Sequence, residues 1–370
     1  MFPYLKISED VIRARIMNVT PQSVEAVLRK NGCGFDDLLV LLSPAAAEYL
    51  PLMRDSAAVY RRMYFGKTIQ LYTPLYISSS CVNGCTYCDF NYDNSLPRKT
   101  LSLSQIIDEA RAIKSMGIDS LLIVAGEDPN TVTPDFLEQT AVEMKKMFSH
   151  LSIEIAPQSE ETYRRLHKAG VDGLTLFQET FNRGRYAELH PFGPKRDYDY
   201  RLEALQRGAA AGMRTLGMAF LLGLYDWRIE AASLAAQAIW IKRKYYRSKI
   251  QFTFPRITST SSGFIPPAPV GDAELEQMIL AFRIVFPEYD MTLSTRENKE
   301  FRDRAAITCA NNMSAGSLVS PGAYCEPVGE LGQFSLNDTR TVEEMIRDMR
   351  GLGLEPVTKY WDSAIMTRTA

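Results

Sequence analysis

From residue 69 onward, short runs of β-branched and apolar residues alternate with longer stretches whose apolar positions recur every three or four residues. The short runs fall at 69–77, 120–125, 151–156, 173–177, 215–222, 250–254, 290–294 and 314–319, and each predicts a strand. Between and after them, 102–116, 134–148, 160–168, 198–211, 229–246, 273–285, 299–306 and 342–352 read as amphipathic helices. Ser102 and Gln105 stand at capping-box spacing, which marks where the first of these helices starts. Strands alternating with helices predict parallel βαβ units, and eight such units over roughly 300 residues suit a (β/α)8 TIM-type barrel. An open doubly wound sheet is the competing arrangement.

The first 68 residues carry only the helical period. Thr20-Pro21 supplies an N-cap and a first-position proline before Val24, Val27 and Leu28, while 36–42 and 45–65 continue the pattern, with a bend at Leu50-Pro51. No Gly- or Ser-rich linker follows. The division predicted is a helical N-terminal extension, 1–68, packed on a barrel, 69–370, that ends in a helical segment.

An apolar fraction of 46% against 23% charged residues excludes a disordered or fibrous chain. Lys and Arg number 42 and Asp and Glu 44, so a net charge of −2 gives no footing for nucleic acid or an anionic membrane. The N-terminus lacks a basic start and a long apolar run, and polar residues interrupt every apolar stretch, so neither signal peptide nor membrane span is expected. Of the six cysteines, Cys81, Cys85 and Cys88 cluster while Cys33, Cys309 and Cys325 are scattered. That is a poor disulfide framework, and in a reducing cytoplasm, the expected location, clustered cysteines are metal ligands.

The cluster reads Cys81-Val82-Asn83-Gly84-Cys85-Thr86-Tyr87-Cys88 and follows the first predicted strand. Three thiolates in one loop suit an iron–sulfur cluster and leave one iron of a [4Fe–4S] cluster without a protein ligand. An open iron is what a reactive cluster needs, whereas an electron carrier has four ligands. The alternative is structural zinc completed by His150, His167 or His190, none of which lies near the motif.

With Tyr87 before its last cysteine, this spacing resembles the radical S-adenosylmethionine (radical SAM) superfamily. Ala125-Gly126-Glu127 resembles the strand end that binds the SAM methionine amino group in that superfamily. Leu71–Tyr76, Phe177-Gln178-Glu179-Thr180, His190-Pro191-Phe192-Gly193-Pro194-Lys195, the stretches 222–228, 254–256 and 293–297, and Ser314-Ala315-Gly316-Ser317 resemble its aromatic amino acid lyase branch. The segment 353–362 resembles the ending of the tyrosine lyases of thiamine biosynthesis. Asp89 departs from the glycine usual after the third cysteine, which puts the adenine contacts in doubt.

The resemblance implies a [4Fe–4S] cluster on Cys81, Cys85 and Cys88, and SAM held by Tyr87, Gly126, Glu127, Glu179 (ribose hydroxyls) and Arg201 (methionine carboxylate). For Arg201 the plainer reading is a solvated helix-face charge, and for Glu127 and Glu179 loop charges facing water. Arg296 with Ser314, or else Arg256, would clamp the amino-acid carboxylate, an Arg fork being suited to that task. Ion pairing is the other reading of Arg256. His190 reads as a packing residue more than a proton donor. The activity implied is reductive SAM cleavage to methionine and a 5′-deoxyadenosyl radical, which takes hydrogen from tyrosine. The Cα–Cβ bond then breaks to p-cresol and dehydroglycine, which thiazole synthase consumes. A flavodoxin- or ferredoxin-type reductant is implied too. Competing readings are a tryptophan lyase, a non-catalytic iron–sulfur carrier, and the hydrogenase-maturation tyrosine lyase. The last needs a second C-terminal cluster, for which Cys309 and Cys325 form no CxxC pair.

Overall fold

The computed structural model describes residues 8–257, 263–326 and 332–360. Among these, eight parallel strands form a closed ring: β1 (Thr68–Ser78), β2 (Ser120–Ala125), β3 (His150–Glu154), β4 (Gly173–Phe177), β5 (Thr215–Ala219), β6 (Lys249–Thr253), β7 (Asp290–Leu293) and β8 (Asn312–Ser314). Each pairs with the next, and β1 pairs with both β2 and β8, so the sheet is a barrel and not the open doubly wound alternative. Strand alternation sends Gln70, Tyr72, Pro74 and Tyr76 into the lumen, while Leu71 and Ile77 are fully buried in the apolar layer beneath the helices. The capping box appears as read: Ser102 Oγ accepts the Gln105 N–H at 3.4 Å and Gln105 Oε1 accepts the Ser102 N–H at 2.9 Å, opening the helix Leu103–Ser115.

Several elements differ from the sequence reading. The strand read at 314–319 lies earlier, because Gly316 at φ +58° turns the chain away and the strand starts at the polar Asn312, just after Asn311. Asn311 is buried there, its Oδ1 accepting the Met291 N–H at 2.8 Å and its amide donating to Asp290 at 2.7 Å. The helix read at 198–211 divides into Tyr198–Leu202 and Ala204–Ala210, and the helix Arg183–Leu189 was not foreseen.

A ninth strand, β9 (Glu355–Val357), was also missed. It pairs with Thr68–Gln70 of β1, below the point at Thr73 where β1 takes up β2. Beyond it, Tyr360 lies at the N-terminal mouth of the barrel. It stacks on His150 at 4.3 Å between ring centroids, and its hydroxyl meets Lys249 Nζ at 2.9 Å. Trp361 and Asp362 of the C-terminal motif lie outside the described residues.

Ahead of the barrel come the helices Glu9–Met17, Pro21–Leu28, Phe35–Leu41 and Leu50–Phe65, the last entered through the 3-10 turn Pro44–Tyr49 at the expected bend. Thr20 Oγ1 accepts the Ser23 N–H at 3.3 Å to cap the second. Val24, Leu38, Met53 and Ala57 share one continuous apolar cluster with the barrel. Full burial of a large aliphatic side chain is worth roughly 1.5–3 kcal/mol. Arg54 forks onto Glu276 with both contacts at 2.7 Å, and Gln277 Nε2 donates to the carbonyls of Leu41 at 2.9 Å and Ser43 at 2.8 Å. No described helix is long and apolar enough to cross a membrane.

Candidate active site

The C-terminal ends of the strands carry the three-cysteine loop, which is stitched to the end of β2. Val82 N–H donates to the Glu127 carbonyl at 2.8 Å. Asn83, almost wholly buried, donates from Nδ2 to Glu127 Oε2 at 2.7 Å and accepts the Lys195 N–H on Oδ1 at 2.8 Å. A Cβ on Gly126 would stand 2.2 Å from the Ser80 carbonyl oxygen, so only glycine lets strand and loop approach this closely. Gly193, at φ +88°, fits against Asn83 for the same reason, since a Cβ there would sit 2.3 Å from Asn83 Oδ1.

Cys81, Cys85 and Cys88 line one cavity of about 1000 Å³ with Tyr87, Gly126, Glu127, Glu179, Lys195 and Arg201. Burial pushes the Cys85 thiol up to about 12 and that of Cys88 up to about 11, with Lys195 acting in the opposite sense. Thiols so placed lose their protons only to a strong positive charge such as bound iron. Among the described residues no three His, Cys, Asp or Glu side chains converge on a single-ion site. The histidines proposed for zinc are engaged elsewhere: His150 on Tyr360, His167 on the Val171 carbonyl at 3.0 Å, and His190 on Tyr87 and Tyr186. Three soft donors around a space suit a cluster better than one ion. Asp89 is buried behind Cys88, its carbonyl accepting from Asn94 Nδ2 at 2.9 Å.

Glu179 follows β4 at φ +70°, the one non-glycine in the left-handed region among the described residues, a strain typical of functional sites. Its Oε1 receives Lys195 Nζ at 2.7 Å and Arg201 Nη2 at 3.0 Å. Burial would raise this carboxyl, but the two cations outweigh it and hold it down at about 2. Arg201 is buried and also donates from Nε to the Phe177 carbonyl at 2.7 Å, so it is not a solvated helix charge.

A second cavity, about 880 Å³, fills the lumen and shares Val124, Glu154, Thr175, Phe177, Arg296, Gln333 and Phe334 with the first. Arg296, in the turn after β7, and Ser314, at the end of β8, line it. Ser314 Oγ accepts the Thr295 N–H at 3.2 Å and sits in register beside Tyr72. The Arg296 guanidinium stacks on Phe334 at 3.5 Å and has no carboxylate partner among the described residues. Arg256, read from the sequence as a possible carboxylate clamp, lines neither cavity. It pairs with Asp272 at 2.8 Å and with buried Glu297, and donates to the Val270 carbonyl at 3.0 Å, so ion pairing is its role here. Sequence reasoning overlooked Asn83, Lys195, Glu154, Gln333 and Phe334. Asn83 had a signal, a polar residue inside the cysteine motif, and Lys195 closed a quoted segment without receiving a role.

Residues 75–235 match the radical SAM superfamily and 259–355 the Biotin and Thiamin Synthesis associated domain. The chain is 39% identical over 355 residues to the 2-iminoacetate synthase of Escherichia coli (strain K12), covering 96% of this chain and 94% of that one. Among solved structures, a crystal structure of HydG, a maturase of the [FeFe]-hydrogenase, superposes with a TM-score of 0.90 at 29% identity, covering 95% of this chain and 80% of that one. Methylornithine synthase (PylB) shares the fold, with a TM-score of 0.70 at 22% identity, over 90% of this chain and 97% of its own. The cysteine loop, the strand-end glycine and the barrel thus occur in a chain that belongs to the 2-iminoacetate synthase family of the radical SAM superfamily.

Proposed function

We propose that this chain is a radical SAM lyase that cleaves the Cα–Cβ bond of L-tyrosine to 2-iminoacetate and p-cresol, with SAM converted to 5′-deoxyadenosine and methionine. The observation that carries this reading is the shared wall of the two cavities. The space bounded by the cysteine loop opens into a lumen large enough for an aromatic amino acid, and Arg296 lines both. A half-buried guanidinium that faces both cavities without an ion-pair partner among the described residues is a ready receptor for a substrate carboxylate.

A [4Fe–4S] cluster and SAM, when bound, supply one-electron chemistry for hydrogen abstraction. Cys81, Cys85 and Cys88 would ligate the cluster. Tyr87, Gly126, Glu127, Glu179 and Arg201 would orient SAM, with the Tyr87 hydroxyl also bracing the loop on His190. Arg296 and Ser314 would fix the tyrosine carboxylate, and the barrel wall keeps water from the reacting carbon. The iminoacetate would pass to a thiazole synthase in thiamine biosynthesis, a flavodoxin- or ferredoxin-type protein would deliver the electron, and the cytoplasm would be the setting.

Anaerobic reconstitution with iron and sulfide, followed by SAM, dithionite and tyrosine, tests this. Chromatography should show p-cresol matched to 5′-deoxyadenosine. Cys85→Ala should lose the cluster's visible absorbance and all SAM cleavage, whereas Cys309→Ala should keep both. Indole products from tryptophan, with no cresol from tyrosine, would replace the reading with the tryptophan lyase.

A further inference from the structure

The charged side chains that line the two joined cavities are almost all spoken for. Glu127 is held by Asn83, and Glu179 by Lys195 and Arg201. Two are not. Arg296 has its guanidinium on the Phe334 ring, and the Glu154 carboxylate, at the end of β3, makes no hydrogen bond or ion pair with any described residue. Both line both cavities, so both stand at the seam between the cysteine loop and the lumen.

We propose that Glu154 is the receptor for the α-ammonium group of the substrate, opposite the carboxylate receptor Arg296. This deepens the tyrosine lyase reading and rests on it. An α-amino acid presents an anion and a cation two bonds apart, and a dry site that admits both must supply the opposite charges. Leaving a carboxylate in such a place without a partner is costly, and an arriving ammonium relieves that cost. Burial pushes the Glu154 carboxyl up to about 7, with Arg296 pulling it down most strongly, Glu179 pushing it up, and Arg201 and Lys195 pulling it down. A carboxyl in that condition gains from any cation brought beside it. None of the surrounding cations pairs with it: Lys195 and Arg201 are both directed at Glu179, and Arg296 is stacked on Phe334.

The test compares L-tyrosine with 3-(4-hydroxyphenyl)propanoic acid, which keeps the phenol and the carboxylate and lacks the amine. Equilibrium affinities are measured on the reconstituted, SAM-loaded holoenzyme without reductant, so that binding is read apart from turnover. The wild type should prefer tyrosine by at least tenfold. Glu154→Gln should remove most of that preference by weakening tyrosine and sparing the deaminated acid and SAM. Glu154→Asp, which keeps the charge, should retain part of the preference. An undiminished preference in Glu154→Gln would overturn the proposal, as would equal losses for both ligands or a loss confined to SAM. Production of p-cresol by the wild type separates the two levels. If cresol forms and the preference survives the substitution, the amine assignment alone fails; if the wild type neither binds tyrosine nor forms cresol, the underlying reading fails with it.

Discussion

The Tyr87 hydroxyl lies 2.8 Å from His190 Nε2, and His190 Nδ1 lies 2.7 Å from the Tyr186 carbonyl. A carbonyl can only accept, so Nδ1 carries the proton and Nε2 receives the tyrosine hydroxyl. Burial, reinforced by Lys195, holds the imidazole neutral by pushing it down to about 3. The aromatic residue of the cysteine loop is therefore anchored from behind by a histidine more than a hundred residues away.

Tyr87→Phe removes that donor and leaves a buried ring nitrogen without a partner, at a cost of about 1–3 kcal/mol. Thermal denaturation should show a lower midpoint. Iron bound per chain after reconstitution should stay near the wild-type value, because the three thiols are untouched. Unchanged stability would show that the hydrogen bond carries no weight.

Arg201 and Arg296 should fail differently. Arg201→Ala leaves Glu179 with one cation fewer, and breaking a buried pair costs about 3–5 kcal/mol. It should lower stability, weaken SAM binding and slow all 5′-deoxyadenosine formation. Arg296→Ala breaks no ion pair, although Glu154 loses the cation that most lowers it, so it should lower the melting midpoint less than Arg201→Ala does and leave SAM affinity nearly unchanged. Its tyrosine requirement should rise roughly tenfold or more, each factor of ten being about 1.4 kcal/mol. Separate SAM and tyrosine titrations of both variants decide it, and the reverse pattern would exchange the assignments.

Glu230 gives a pH dependence unrelated to catalysis. It is buried, takes hydrogen bonds from the Thr180 hydroxyl and the Phe181 N–H, and burial pushes its carboxyl up to about 8. The folded state therefore keeps a proton that the unfolded chain, titrating near 4.3, has released. Stability is fully present below the unfolded value and falls as pH rises toward the folded one, at up to about 1.4 kcal/mol per unit. Glu230→Gln, which cannot ionise, should flatten this decline, so urea midpoints at pH 6 and pH 8 should differ less in the variant than in the wild type. Equal slopes would mean that Glu230 does not titrate in that window.

We propose that the described part of the predicted N-terminal extension, residues 8–68, forms one folding unit with the barrel. The Arg54–Glu276 fork and the Gln277 contacts with Leu41 and Ser43 tie them, over a shared apolar core. Limited proteolysis should yield no stable fragment beginning near residue 68, and release of a folded barrel would refute the single unit.

The features legible in the sequence depend on near neighbours. Short runs of β-branched and apolar residues gave seven of the eight barrel strands close to their positions, since a strand between lumen and helices is covered on both faces. Caps such as Ser102-Gln105 and Thr20-Pro21 are satisfied within three residues, and three thiols within one loop report a cluster without help from the rest of the chain. β8 was misplaced because its inward positions are polar, Asn312 and Ser314, facing a lumen that the hydrophobic pattern does not register. β9 was missed because three residues around a proline carry no period, and only the gap left beside β1 makes them a strand. The partners of charged groups lay equally out of reach. Nothing local distinguishes Arg256, neutralised by Glu297 and Asp272, from Arg296, which makes no ion pair with any described carboxylate. Glu154 read as one more residue of a strand. Ring closure sets β3 and β7 around one lumen, and whether a buried charge is paired or waiting depends on what folding brings beside it from distant parts of the chain.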